Sequence, residues 1–334
     1  MGLGLAVAFA LAFALMNGFH DAANAIATLV ATRGARPSQA IVLAAVFNII
    51  GALVIGTAVA NTIAGIVTVS PSEAVAVIGS GLFGAVVWSI LTWWRGLPSS
   101  SGHALVGGLV GAAVATAGIH AVNWGGLDGW RPVGVFGVLI ALAVSPVIGL
   151  GFGFGFRRLN QLMVRRATRR IHSPIRGAEW VMSAGLSLSH GANDAQKSMG
   201  VIAALLLATG HIESFSVPLW VKFSAGFMLT LGTALGGWRI VRTIGRRITH
   251  LAPLDGFASQ SASTAVILGA SFAGAPVSTT QVVASSVIGV GGGRRRWRHV
   301  RWAVVRAMAV AWLLTLPASA LLGAGTVRIW VGIQ

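Results

Sequence analysis

The 334-residue chain contains no cysteine, so it forms no disulfide and offers no thiolate to a metal. It contains no tyrosine either, which leaves its 12 tryptophans as the main aromatic anchors for a membrane–water interface. Charge is scarce: 9% of residues are charged and 55% hydrophobic, at a mean hydropathy of +0.81. That composition identifies an integral membrane protein. Its apolar residues come in long runs rather than alternating, which excludes a barrel and makes the chain all-α. No Walker motif is present, so ATP drive would need another chain. The first apolar run lacks a basic leader and holds Asp21, so it reads as a retained span rather than a cleaved signal peptide.

What charge there is has one sign. The net charge is +17, and its placement argues against a nucleic-acid partner, because the arginines sit in short loops between apolar runs. About ten runs come near the ~20 residues needed to cross a bilayer. They lie near 3–30, 39–62, 74–94, 101–118, 133–156, 179–209, 217–237, 256–273, 277–292 and 302–323. Basic residues crowd into alternate loops: Arg33 and Arg36, Arg95, the stretches Arg157–Arg176 and Arg239–Arg247, and Arg294–Arg301. The loops between hold only Arg131, Lys222 and Arg328. This asymmetry predicts a multi-pass protein of the cell membrane, with Arg-rich loops in the cytoplasm and both termini outside. The 101–118 and 277–292 runs are short and rich in Gly and Ser, as broken or re-entrant helices are.

One polar motif occurs twice inside apolar runs. Asn17–Ala27 reads NGFHDAANAIA and Ser189–Gly200 reads SHGANDAQKSMG. Aligning Asp21 with Asp194 sets His20 on Asn193, Gly18 on Gly191 and Asn24 on Lys197. An ionisable residue at mid-bilayer costs roughly 2.5–3.5 kcal/mol on insertion scales, so matched copies point to function rather than to an incidental hydrogen bond. The Arg-rich loop divides the chain into repeats at 1–156 and 179–334, with a cytoplasmic linker at 157–178. Five spans per repeat is an odd number, so the repeats must be inverted, which places a substrate near the midplane between them. Two further stretches match each other, LPSSSGHALVGGLVGAA from Leu97 and APVSTTQVVASSVIGVG from Ala275. Pro followed by a Gly- and Ala-rich helix marks a helix start, where free N–H groups and the positive dipole end favour an anion. Asp21 and Asp194 with amide oxygens from Asn24 and Asn193 suit a hard cation, and a buried carboxylate can alternatively hold a proton.

These four motifs, in this order and across nearly the whole chain, resemble the inorganic phosphate transporter (PiT) family. The FHD and NDxQK variants are most similar to its bacterial low-affinity permeases. The resemblance implies that Ser100, Ser101, Thr279 and Thr280 contact phosphate. It also implies that Asp21, Asn24, Asn193 and Asp194 serve the phosphate and its coupling cation. The chain departs from the family pattern at four places. Gly102 stands where many members have a hydroxyl, Gln281 where His is common, His20 for Asn in the first signature, and Lys197 for Asn in the second. A fixed ammonium at Lys197 can neutralise Asp194, unless it turns toward a backbone carbonyl or the cytoplasm. Asp21 has His20 beside it in its own motif.

The expected function is therefore secondary import of inorganic phosphate, driven by H⁺ rather than Na⁺, or carried as a neutral complex with a divalent metal. No resident cofactor, permanent metal or enzymatic activity is expected. The expected partners are phosphate and the lipid bilayer, with a homodimer as an open alternative. Sulfate is the other anion to consider, but it has no proton to donate to Asp21 or Asp194. An anion channel would suit the hydroxyl-lined helix starts, though its buried carboxylates would repel anions. An intramembrane serine hydrolase would use Ser99–Ser101 with His103 or His190, yet neither serine cluster has a nucleophile turn, and both histidines have structural readings too.

Overall fold

The computed structural model describes residues 2–129, 131–166, 172–236, 238–294 and 297–332. Helices dominate it. The first half contains α1 (Leu3–Ala31), α2 (Pro37–Val54), α3 (Ala58–Ala64), α4 (Pro71–Trp94), α5 (Ser101–Ala117) and α6 (Gly134–Met163). The second contains α7 (His172–Ala208), α8 (Leu219–Leu235), α9 (Trp238–Arg242), α10 (Pro253–Phe272), α11 (Thr279–Gly293) and α12 (Trp302–Gly332). Both halves run long, medium, short, long, short, long. A small antiparallel hairpin, β1 (Gly126–Asp128) with β2 (Arg131–Val133), precedes α6.

Helix starts match between halves as well. Both α4 and α10 open on Pro, an acceptable first residue because its missing N–H would be unpaired there anyway. An acid follows two residues later. Glu73 accepts from Ser70 Oγ at 2.6 Å, and Asp255 Oδ2 accepts from the Ala252 N–H at 2.8 Å. The starts of α5 and α11 are capped by Ser100 and Ser278, whose hydroxyls accept from the N–H of His103 (3.2 Å) and Gln281 (3.3 Å).

By length and hydropathy α1, α2, α4, α6 and α12 are able to cross a membrane, and α5 and α8 are shorter apolar helices. The expected span at 39–62 is not one helix. It breaks at residues 55–57 and resumes as α3, whose Val59 and Ala60 N–H groups donate to Gln196 Oε1 at 2.9 and 3.2 Å. The expected linker at 157–178 is partly helical, since α6 runs on to Met163 and α7 begins at His172; Arg169 and Arg170 lie outside the described residues.

The helices pair mainly across the halves. A Cβ added to Gly18 on α1 would meet the Leu229 carbonyl of α8 at 1.9 Å, and one on Gly191 of α7 would meet the Asn48 carbonyl of α2 at 2.0 Å. Those two glycines are the aligned ones of the doubled motif, and each lets two backbones touch. Likewise α5 packs on α12 and α11 on α6. Three apolar clusters are found among the described residues, a small one around Ile248, Val287 and Met308 and two that flank the doubled motif. Of these two, one contains Ala6, Ala10 and Phe13 of α1 with Ala195, Met199 and Leu205 of α7. The other contains Ala25, Ile26 and Leu29 of α1 with Leu186 of α7. The polar motifs, residues 17–24 and 187–198, lie between the two clusters. Along the chain α1 passes from the first cluster to the second and α7 from the second to the first, so the two helices cross this layer in opposite directions.

Candidate anion and cation site

The layer between the clusters brings the two aspartates together. Asp21, His190 and Asp194 each present one ligand atom within 4.8 Å of the others, and all three are buried. The helix starts of α5 and α11 converge on them. Asp21 Oδ2 accepts from Ser101 Oγ at 3.1 Å, and Oδ1 from Thr280 Oγ1 at 2.5 Å. Asp194 Oδ2 accepts from Thr279 Oγ1 at 2.8 Å, and Oδ1 is paired with the Lys197 ammonium.

Superposing the motifs explains that ammonium. Ser101 and Thr279 are the first residues of α5 and α11, and each serves the aspartate of its own half. Thr280 then serves Asp21 across the halves. Its counterpart is Gly102, which has no hydroxyl to give Asp194. Lys197 Nζ lies 3.7 Å from where a Gly102 Cβ would be, and it takes the oxygen that a hydroxyl there would take. Its other bond is to the Val277 carbonyl at 2.9 Å. Lys197 therefore does both of the things expected of it as alternatives, since it neutralises Asp194 and reaches a backbone carbonyl.

The remaining residues fall on either side of this centre. Asn24 Nδ2 donates to Thr279 and Thr280 at 3.2 and 3.1 Å, and its Oδ1 has no partner among the described residues. His20 Nδ1 lies 3.3 Å from Asp21 Oδ1, with Nε2 toward Ser99 Oγ at 3.3 Å. Asn193 is not brought to the carboxylates; its Nδ2 donates to Ser271 Oγ and the Ala275 carbonyl at 3.1 and 3.3 Å. Ser100 is buried near Lys197, but its hydroxyl is engaged by the His103 N–H and by Nδ1 at 2.7 Å. No carboxylate backs His103 among the described residues, so this Ser–His pair lacks the third member of a hydrolytic triad.

Sequence reading did not single out Asn48 and Thr233. Asn48 Oδ1 is 3.1 Å from His190 Nδ1, and its Nδ2 donates to Thr233 Oγ1 at 2.9 Å. That holds His190 with Nε2 3.0 Å from Asp194 Oδ2, off the axis of a good hydrogen bond. A lone Asn in the apolar run of α2 was the available signal.

A family model described as the phosphate transporter family matches residues 17–323. The chain belongs to that family. It is 40% identical over 325 residues to a probable low-affinity inorganic phosphate transporter of Bacillus subtilis, covering 96% of this chain and 94% of that one. A Rhizobium meliloti relative of the same description is 43% identical over 326 residues, covering 95% and 93%. Among solved structures the chain is similar to a sodium-dependent phosphate transporter, with a TM-score of 0.87 and 25% identity over 99% of each chain. These relatives are transporters, and the hydrolase reading ends with them.

Proposed function

We propose that this chain is a secondary transporter that imports inorganic phosphate across the cell membrane, coupled to protons. Phosphate sits between the starts of α5 and α11, where Ser101, Thr279 and Thr280 turn from the aspartates to its oxygens. The dipole ends of both helices add positive potential there. Asp21 and Asp194 accept from the P–OH that phosphate has and sulfate lacks. Two carboxylates beside an anion need compensation, which favours coupled transport over a channel.

The observation that carries the coupling is Lys197. A carboxylate oxygen and a backbone carbonyl are the ligands a hard cation takes, and the ammonium occupies both, on Asp194 and Val277. One of two pseudo-symmetric cation positions is then filled by the protein itself. Asp21 keeps only neutral donors and His20, so it is the proton carrier of this reading. Sodium stays the alternative, supported by the sodium-dependent structural relative. A divalent metal carried with phosphate is a second one, supported by the convergence of Asp21, His190 and Asp194. Opposed traversal of the polar layer by α1 and α7 supports the inverted repeat.

Uptake of radiolabelled phosphate into sodium-free proteoliposomes under an inward proton gradient tests the coupling. Vigorous uptake, lost in Asp21→Asn, is expected. An absolute sodium requirement with a Hill slope near ~2 would overturn it.

A further inference from the structure

A buried carboxylate lies outside this centre. Glu179 of α7 is 0% exposed, and neither of its oxygens has a hydrogen-bond partner among the described residues. Bare backbone presses on it from two sides. A Cβ on Gly256 of α10 would stand 2.2 Å from Oε1, and one on Gly34, after α1, 3.2 Å from Oε2. Thr32 packs beside Gly256 with Glu179, and its hydroxyl donates to the Leu29 carbonyl at 3.1 Å, which leaves lone pairs for a neighbouring donor.

The charged groups around Glu179 do not supply a counter-ion. Arg176, on the same helix, attracts the carboxylate, but it is exposed to solvent and forms no ion pair with it among the described residues. On α10, Asp255 adds negative charge but is already paired with Arg157 Nε at 2.7 Å and Arg294 Nη1 at 2.5 Å. A buried, unpaired anion is costly, whereas a neutral acid there has the Thr32 oxygen to donate to.

A column of side-chain oxygens links Glu179 to the phosphate centre. Asn24, Thr28 and Thr32 recur at intervals of four along α1, about 6 Å per step. Thr28 Oγ1 accepts from Gln260 Nε2 at 3.0 Å, while Gln260 Oε1 and Asn24 Oδ1 have no partner among the described residues. Ile26 and Leu29 of α1 and Leu186 of α7 belong to the apolar cluster on this side of the centre, and the positive-inside reading puts the Glu179 end of the column on the cytoplasmic side.

We infer that Glu179 is the proton-release site of the transport cycle, a step that rests on the proton-coupled reading above. It receives the proton that passes Asp21 and holds it as the neutral acid. When α10 and the turn after α1 part from it, the carboxyl O–H gives that proton to cytoplasmic water, and the carboxylate is reprotonated in the next cycle.

Glu179→Gln keeps the size and neutrality of the acid but cannot release a proton. In proteoliposomes, phosphate–phosphate exchange at equal pH should stay within about twofold of wild type, while net uptake driven by a proton gradient falls by about tenfold or more. Infrared difference spectra of the purified protein should show a protonated-carboxyl C=O band that E179Q lacks. Wild-type net uptake in E179Q, a parallel fall of exchange and net uptake, or absence of that band would overturn the role of Glu179 while sodium-free uptake by wild type still upheld proton coupling. A sodium requirement in wild type would instead overturn the coupling reading and this role with it.

Discussion

At the scale of single residues, the pairing of Asp194 with Lys197 is the decisive local arrangement. Both side chains are fully buried. Removing one partner of such a pair leaves an uncompensated charge and costs ~3–5 kcal/mol, whereas removing both is often close to neutral. Lys197→Met should therefore lower the thermal unfolding temperature in detergent markedly. The double variant D194N/K197M should recover most of the loss. A Lys197→Met protein that melts with wild type would show that the ammonium is not the counter-ion of Asp194. The identities of Asp21, Asp194, Asn24 and Lys197 were legible in the sequence because polar residues inside apolar runs stand out. Which oxygen each of them meets was not, because Thr280 reaches Asp21 from 259 positions away.

At the scale of elements, the paired helices depend on glycine where backbones touch. On α7, Gly191 faces the Asn48 carbonyl of α2, and a Cβ would also stand 2.7 Å from Asn48 Cα. No rotamer change relieves a clash with backbone, so Gly191→Ala forces the helices apart. Overpacking of this kind costs about 1–3 kcal/mol, occasionally more. It should also weaken the hold of Asn48 on His190. Reduced yield of folded protein and a lower unfolding temperature are expected, with Gly269→Ala as a control, since no atom lies within 4 Å of a Cβ there. Equal stability of the two variants would refute the close approach. The helix starts at Ser100 and Ser278 were readable from Pro and the capping serines. The break between α2 and α3 was not: no Pro or charge interrupts the run 39–62, and the break is held by Gln196 on a distant helix.

At the scale of the whole molecule, the proposed inverted repeat predicts where each loop lies, and the cysteine-free chain allows a clean test. Single cysteines at Leu162, Met163 and Trp297, all exposed, should react with an impermeant thiol reagent only from the cytoplasmic side. Cysteines at the exposed Ile119, Trp124 and Leu127 should react only from outside. Labelling of both sets from one side would sink the inverted topology and the midplane position of the phosphate centre. The helix pairs α1 with α8, α7 with α2, α5 with α12 and α11 with α6 all cross between halves. The two larger apolar clusters draw on both halves, so the two should fold as one unit.

Composition and long apolar runs made this a helical membrane protein, since a helix satisfies its backbone hydrogen bonds within one run in lipid, whereas a barrel needs alternating strands. The doubled motif and the two Pro-Ser/Thr stretches carried the family, and they named most of the residues that the structure gathers into the candidate site. They are local patterns, and each sits at a helix centre or start that the sequence marks. Three-dimensional packing decided the rest. It placed Lys197 where Gly102 lacks a hydroxyl, turned Asn193 toward Ser271, and enlisted Asn48 to hold His190. It also left Glu179 buried with no hydrogen-bond partner among the described residues, though in sequence it is merely an acid beside an Arg-rich loop. Such relations depend on which helix faces join across the two halves, and contacts that distant leave no periodic trace in a single chain.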